Sequence, residues 1–171
     1  MSSRELDRLL LRIAEGDNAA FEELYLRTKR GVYAFLYTYF HNAADTEDVM
    51  QTVYLNIKRG IQSYRKGTNA RAWILQIAKN LALSELRKKK REVPTEYIEL
   101  PPVSHEGGKV EVKELMEKVL TEEEQRIVTL HVLWGYKHRE IGELVGCPTG
   151  TVTSKYKRSI EKLKKYLKEV N

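Results

Sequence analysis

Apolar residues recur at intervals of three and four along most of this chain, the period of an amphipathic helix, and show no convincing strand alternation. Leu6, Leu9, Leu10 and Ile13 predict a first helix that Gly16 and Asp17 end. Phe21, Leu24, Tyr25, Val32, Phe35, Leu36 and Tyr39 keep the period from about Asn18 to Phe40, as one long helix or two abutting ones. Asp45 is the expected cap of a helix over 46–58 with Val49, Val53 and Ile57 inward. Residues 60–68 read as a loop, and Asn69 as the cap of a helix with a Trp73, Ile74, Ile77, Ala78 and Leu81 stripe and a basic end, Arg87 to Arg91. The expected fold is all-α.

The last fifty residues carry the sharpest pattern. Thr121 and Glu124 have capping-box spacing for a helix that Gly135 breaks. A second helix fits Lys137 to Val145, with Gly146 as its stop. After the Cys147-Pro148 turn, with Thr149 as a cap, Val152, Tyr156, Ile160, Leu163 and Leu167 make one stripe of a long third helix. Thr151, Ser154, Lys155 and Arg158 fall on its other face. A lysine-rich outer face is common on solvated bundle helices. A short helix, a turn, and hydroxyl and basic residues in the first turns of the next helix instead match the helix-turn-helix plan, whose second helix meets base edges.

Between Val93 and Lys109 lie Pro94, Pro101, Pro102, Gly107 and Gly108 with several Glu, a composition that predicts a flexible linker. The expected organisation is therefore two small helical domains, 1–92 and 111–171, joined through 93–110. Charge follows the same division. Residues 1–91 hold 17 basic and 10 acidic groups, 92–124 hold 3 and 10, and 125–171 hold 10 and 4. Two basic blocks around an acidic connector suit a polyanion touched at two places, although a net charge of +6 alone is also what solubility asks of a surface.

The single cysteine, Cys147, excludes an intrachain disulfide and argues against a cysteine metal site. No apolar run approaches the roughly 20 residues a membrane span needs, and Arg4, Glu5, Asp7 and Arg8 interrupt any signal-peptide core, so a cytoplasmic location is expected. His41, His105, His131 and His138 lack metal-ligand spacing, and no phosphate loop or nucleophile elbow occurs. The expectation is a protein that is not an enzyme and needs no cofactor or metal.

Two segments suggest binding chemistry. In the 46–58 helix Asp48 and Gln51, three apart, can form a docking face for a protein, while acids in its first turn are equally accounted for by the helix dipole. In the loop and helix that follow, Tyr64, Arg65, Lys66, Gly67, Thr68 and Asn69, with Asn80 in mid-helix, suit single-stranded DNA, because an unstacked base can lie on an aromatic ring and bond to an amide. Trp73 reads as core rather than as a base contact.

Asp45 to Leu55 (DTEDVMQTVYL), Ala72 to Asn80 (AWILQIAKN), Glu140 to Gly146 (EIGELVG) and Gly150 to Lys155 (GTVTSK) together resemble bacterial RNA polymerase sigma factors of the extracytoplasmic-function class, over about 18–91 and 112–168. The resemblance implies a sigma factor whose first domain binds core RNA polymerase and melts the minus-ten element and whose second reads the minus-thirty-five element. It places Asp48 and Gln51 against the polymerase, Tyr64 to Asn69 with Asn80 around a flipped non-template base, and Thr151, Ser154, Lys155 and Arg158 in the major groove. His138 stands where the family has a small hydroxyl residue, Gly142 where Ala is common, and Lys155 where Arg is common. Lys lacks the planar fork that reads guanine bidentately. The chain's end at Asn171 suggests no appended sensory domain, and with the family resemblance this implies control by an anti-sigma protein or by synthesis. Other classes compatible with the pattern are a homodimeric repressor or activator reading a palindrome, and an interaction adaptor without DNA.

Overall fold

The computed structural model describes residues 3–92 and 112–170; the expected linker, 93–110, lies outside them. Among the described residues eight helices follow in order: α1 (Ser3–Ala14), α2 (Asn18–Phe40), α3 (Ala43–Gly60), α4 (Ala70–Glu92), α5 (Val112–Val119), α6 (Glu122–Val132), α7 (His138–Val145) and α8 (Thr149–Val170). A 3₁₀ turn, Ile61–Ser63, follows α3, and the described residues contain no strand.

Local chemistry explains the boundaries. Gly16, at φ +92°, closes α1, and Asp17 opens α2 by accepting the Ala20 amide at 3.0 Å while Arg12 holds its other oxygen. A left-handed backbone is cheap at glycine, which has no Cβ to collide with the carbonyl. Residues 18–40 form one continuous helix. α3 starts earlier than expected: Asn42, not Asp45, is its cap and accepts the Asp45 amide at 3.1 Å. Asp45 sits in the first turn and pairs with Lys89 of α4, a partner 44 residues away in the chain that no local rule could supply. Asn69 accepts the Ala72 amide at 3.2 Å, as a cap should. The Thr121–Glu124 capping box is formed in both directions. At α8 the first helical bond runs from the Val152 amide to the Pro148 carbonyl, so Thr149 lies within the first turn instead of capping it. α5 has no counterpart in the sequence reading. It is a single eight-residue helix, anchored by buried Leu115.

The apolar stripe of α8 is graded: Val152 is fully buried, Tyr156, Ile160 and Leu163 are half-buried, and Leu167 is 45% exposed.

α2 is the central helix. Its buried Leu24, Val32, Phe35 and Leu36 pack with Leu6 and Leu10 of α1, Val53 and Ile57 of α3, and Ile74 and Leu75 of α4. The same core continues into Ile127 and Leu130 of α6, Trp134 and Tyr136 of the following turn, Ile141 of α7 and Val152 of α8. The two basic halves of the chain therefore share one hydrophobic core.

Polar contacts stitch the halves together. The Trp134 indole N–H donates to Gly31 O at 3.1 Å, and Arg71 donates to Trp134 O. Arg126 reaches both Thr38 O (3.2 Å) and Thr38 Oγ1 (3.3 Å), with its guanidinium 4.1 Å from the Tyr39 ring centre. Lys79 Nζ donates to Leu144 O at 2.7 Å. His41, a left-handed residue at the end of α2, lies 3.7 Å from both Glu117 and Glu122.

Candidate nucleic-acid interface

The helix-turn-helix is built by α7, the Gly146–Pro148 turn and α8. Gly146, at φ +77°, ends α7, and the amides of Gly146 and Cys147 both donate to Gly142 O at 2.9 Å. This turn is so tight that a Cβ on Gly142 would lie 2.5 Å from Cys147 O. An alanine has no room here unless the turn shifts. Glu140 turns back to accept the Lys137 amide at 2.8 Å, which orders the start of α7.

α8 meets the core through Val152 and fully buried Ser159, whose hydroxyl donates to Lys155 O at 2.8 Å. Thr151, Ser154 and Arg158 are exposed, as is Lys157. These side chains stand free at the N-terminal half of the helix, where a recognition helix carries its base contacts. Lys155 does not stand with them. Its ammonium pairs with Glu123 of α6 and only 24% of its side chain is exposed. Glu123 also accepts from the Cys147 thiol at 3.2 Å. The Lys155 ammonium and then the thiol hold this carboxyl below its usual range, while the same carboxylate pushes the Cys147 thiol up.

Behind α8, His138 Nδ1 lies 3.0 Å from Thr153 Oγ1, and its ring packs against His131 (4.9 Å between centres) and Tyr156 (5.1 Å). Its Nε2 is buried with no hydrogen-bond partner among the described residues. Burial first, then the charges of His131 and Lys157, press the imidazole below its ordinary pKa.

In the first half, Asp48 and Gln51 are both exposed on α3, and Leu55, one turn on, is 53% exposed. Spacings of three and four place the three on one strip. Leu55 was not singled out in the sequence, because an apolar residue in an amphipathic helix is expected inside.

The loop between α3 and α4 divides its residues sharply. Arg65, Lys66, Gly67, Thr68 and Asn69 are exposed. Tyr64 is buried, 8% exposed, with its ring edge-on to Trp73 at 5.2 Å and its hydroxyl donating to Asp7 of α1 at 2.6 Å. Burial and the Asp7 carboxylate push the phenol up to about 12. Its ring is thus a support for the loop and not a surface on which a base can stack. Trp73 packs against the core, as the sequence indicates. Asn80 is exposed and accepts from Gln76 at 2.8 Å. At 1.5 Å rise per residue it lies about 15 Å along α4 from the start of that helix.

The described residues hold no cluster of three or more metal-binding side chains, and none of their helices is long and apolar enough to cross a membrane.

A helix-turn-helix with an exposed polar recognition face, joined to a helical unit bearing a basic loop, defines a two-part DNA-binding protein. Residues 24–92 match the family model of Sigma-70 region 2, and residues 111–163 that of Sigma-70 region 4. The chain belongs to the sigma-70 family, in the extracytoplasmic-function class of RNA polymerase sigma factors. As such it directs core RNA polymerase to promoters.

Among its relatives is the ECF RNA polymerase sigma-E factor of Escherichia coli, 29% identical over 94% of both chains. The RNA polymerase sigma-H factor of Pseudomonas aeruginosa is 24% identical over 98% of this chain and 96% of its own. Two solved structures share the fold. CnrH in complex with the cytosolic domain of CnrY superposes with a TM-score of 0.64 at 16% identity, over 98% of this chain and 99% of the other. RpoE in complex with the anti-sigma factor NepR from Bartonella quintana gives 0.63 at 22% identity, over 86% and 96%.

Proposed function

We propose that this sigma factor opens promoters as well as selecting them, with the work divided at the boundaries 1–92 and 111–171. The Asp48, Gln51 and Leu55 strip of α3 is the docking face for core polymerase. The exposed loop Arg65 to Asn69 grips the melted non-template strand together with Asn80, about 15 Å along α4 from the start of that helix. Thr151, Ser154 and Arg158 enter the major groove of the minus-thirty-five element. Lys155 joins them once it leaves Glu123. The protein performs no chemistry of its own and acts in the cytoplasm.

An anti-sigma protein is a further partner. This is supported by the contact between the two DNA-reading units, which an inhibitor could hold in place, and by the similar chains of known structure, one solved with an anti-sigma factor and one with the cytosolic domain of CnrY. An inhibitor of this kind competes with polymerase, because one surface cannot serve two partners at once.

The observation that carries the reading is the coexistence of an exposed recognition face on α8 with a separate exposed basic loop on the other basic half. Run-off transcription with core polymerase, together with permanganate probing of the promoter, tests it. A productive transcript with a reactive bubble is expected. A protein that binds duplex promoter as a homodimer, and neither co-elutes with core polymerase nor supports a transcript, would instead be a conventional repressor.

A further inference from the structure

α1 lies outside the region matched to Sigma-70 region 2, which begins at residue 24, yet hydrogen bonds from Ser3, Asp7 and Ala14 join it to the 64–69 loop and to the 3₁₀ turn before it. Ser3 Oγ donates to Asn69 Oδ1 at 3.3 Å, and Gln62 Nε2 donates to Ala14 O at 2.9 Å. Between these two, Asp7 reaches into the loop itself. Its Oδ1 accepts the Tyr64 hydroxyl at 2.6 Å and the Gly67 amide at 3.3 Å.

We propose that Asp7 is a positioning residue for strand capture, holding the loop from Tyr64 to Asn69 in the one shape that presents Arg65, Lys66 and Thr68 outward. The inference rests on the strand-binding reading of this loop. Gly67 is left-handed, at φ +80°, and no other protein atom lies within 4 Å of where its Cβ would be, so packing does not hold the turn. What holds it is hydrogen bonding: Thr68 Oγ1 and N to Arg65 O inside the loop, and Asp7 from below. Tyr64 is pinned at the ring by Trp73 and at the hydroxyl by Asp7, so one carboxylate oxygen couples the first residue of the loop to its apex.

Electrostatics gives the opposite expectation and so makes the inference sharp. A carboxylate beneath a basic loop repels phosphate, and its removal should tighten nucleic-acid binding. Positioning predicts that removal weakens it, because a loop that must be ordered at the moment of binding lowers affinity by the cost of that ordering.

The test uses the full chain in holoenzyme with core polymerase and a fluorescent single-stranded oligonucleotide carrying the non-template minus-ten sequence. Asp7→Ala and Tyr64→Phe should each weaken strand binding about fivefold to tenfold, the change expected on losing one net hydrogen bond or slightly more. The double variant should lose clearly less than the sum of the two single losses, since both remove the Asp7–Tyr64 bond, while Asp7→Ala also frees the Gly67 amide and Tyr64→Phe also gives up the 3.4 Å bond to Thr68 O. Asp7→Asn keeps an oxygen acceptor for the Tyr64 hydroxyl and should stay near wild type. Core-polymerase affinity and duplex minus-thirty-five binding should not move in any of them.

Unchanged or tighter strand binding in Asp7→Ala overturns the inference, as do additive losses in the double variant, a failed rescue by Asp7→Asn, or an equal loss of polymerase affinity. An Arg65→Ala/Lys66→Ala variant separates the two levels. If it weakens strand binding while Asp7→Ala and Tyr64→Phe do not, Asp7's role alone falls. If it leaves strand binding untouched, the loop is not the strand grip and both readings fall.

Discussion

Trp134 lies with its indole against the backbone of Gly31, 103 residues earlier, and donates its N–H to the Gly31 carbonyl at 3.1 Å. A Cβ on Gly31 would stand 3.0 Å from the indole ring. The absence of a side chain in mid-helix is what lets α2 accept the second half of the chain. Trp134 is 5% exposed.

On the proposed division of work, with one half at the minus-ten element and the other at the minus-thirty-five element, the junction opens on a promoter. Elements named for minus ten and minus thirty-five are about 25 base pairs apart, or about 85 Å at 3.4 Å per base pair. α2 and α8, the longest helices of the two halves, are each only about 35 Å long. Gly31→Leu should force the halves apart by driving a side chain into the indole while leaving α2 helical. Small-angle scattering of the free variant should show a larger radius of gyration than wild type, and a dye pair across the junction should report separation in wild type only upon polymerase and promoter binding. A variant as compact as wild type would show that the junction tolerates the side chain.

Gly142→Ala should destabilise the helix-turn-helix. Replacing Gly by Ala in a helix interior ordinarily gains about 1 kcal/mol, but here the new methyl meets the backbone carbonyl of Cys147 at 2.5 Å. Overpacking against backbone typically costs about 1–3 kcal/mol, so the net sign is unfavourable. Calorimetry should give a lower Tm, and a rise would mean the turn relaxes at little cost.

Glu123→Gln should strengthen duplex binding. It releases Lys155 from its ion pair, and one added phosphate contact steepens the slope of log K against log salt by about 0.9. A titration series in salt measures this directly. The same pair predicts a pH response: because the folded carboxyl is lowered from 4.5, the stabilisation from this pair is present above that value and is lost as pH falls through the lowered one. Wild type should lose this increment on acidification, and Glu123→Gln should not.

His138 predicts a second, separate acid sensitivity. Its folded pKa lies below the ordinary 6.5, so the unfolded chain takes up the proton first, and stability declines as pH falls from 6.5 towards the folded value. The groups facing the ring are His131, Tyr156, Thr153 and Lys157, and none is an acid that could offset the charge. His138→Thr, which removes the titrating ring, should flatten the Tm profile in that range. An equally steep profile in the variant would assign the effect elsewhere.

Helix content, most boundaries and the helix-turn-helix were legible in the residues because period, caps and glycine stops act within a few positions of one another. The Thr121–Glu124 box and the Gly146 stop are of this kind. The exposure of Asp48, Gln51, Thr151, Ser154 and Arg158 follows from the same periodicity, since the opposite face of each helix is apolar. Only the tertiary structure decided what distant partners do. Tyr64 is taken inward by Asp7 across 57 residues, Lys155 is claimed by Glu123 across 32, and Trp134 closes on Gly31 across 103. Such contacts depend on how helices pack in space, and a local pattern records only that a side chain is aromatic, basic or absent, not which neighbour the folded core brings to it.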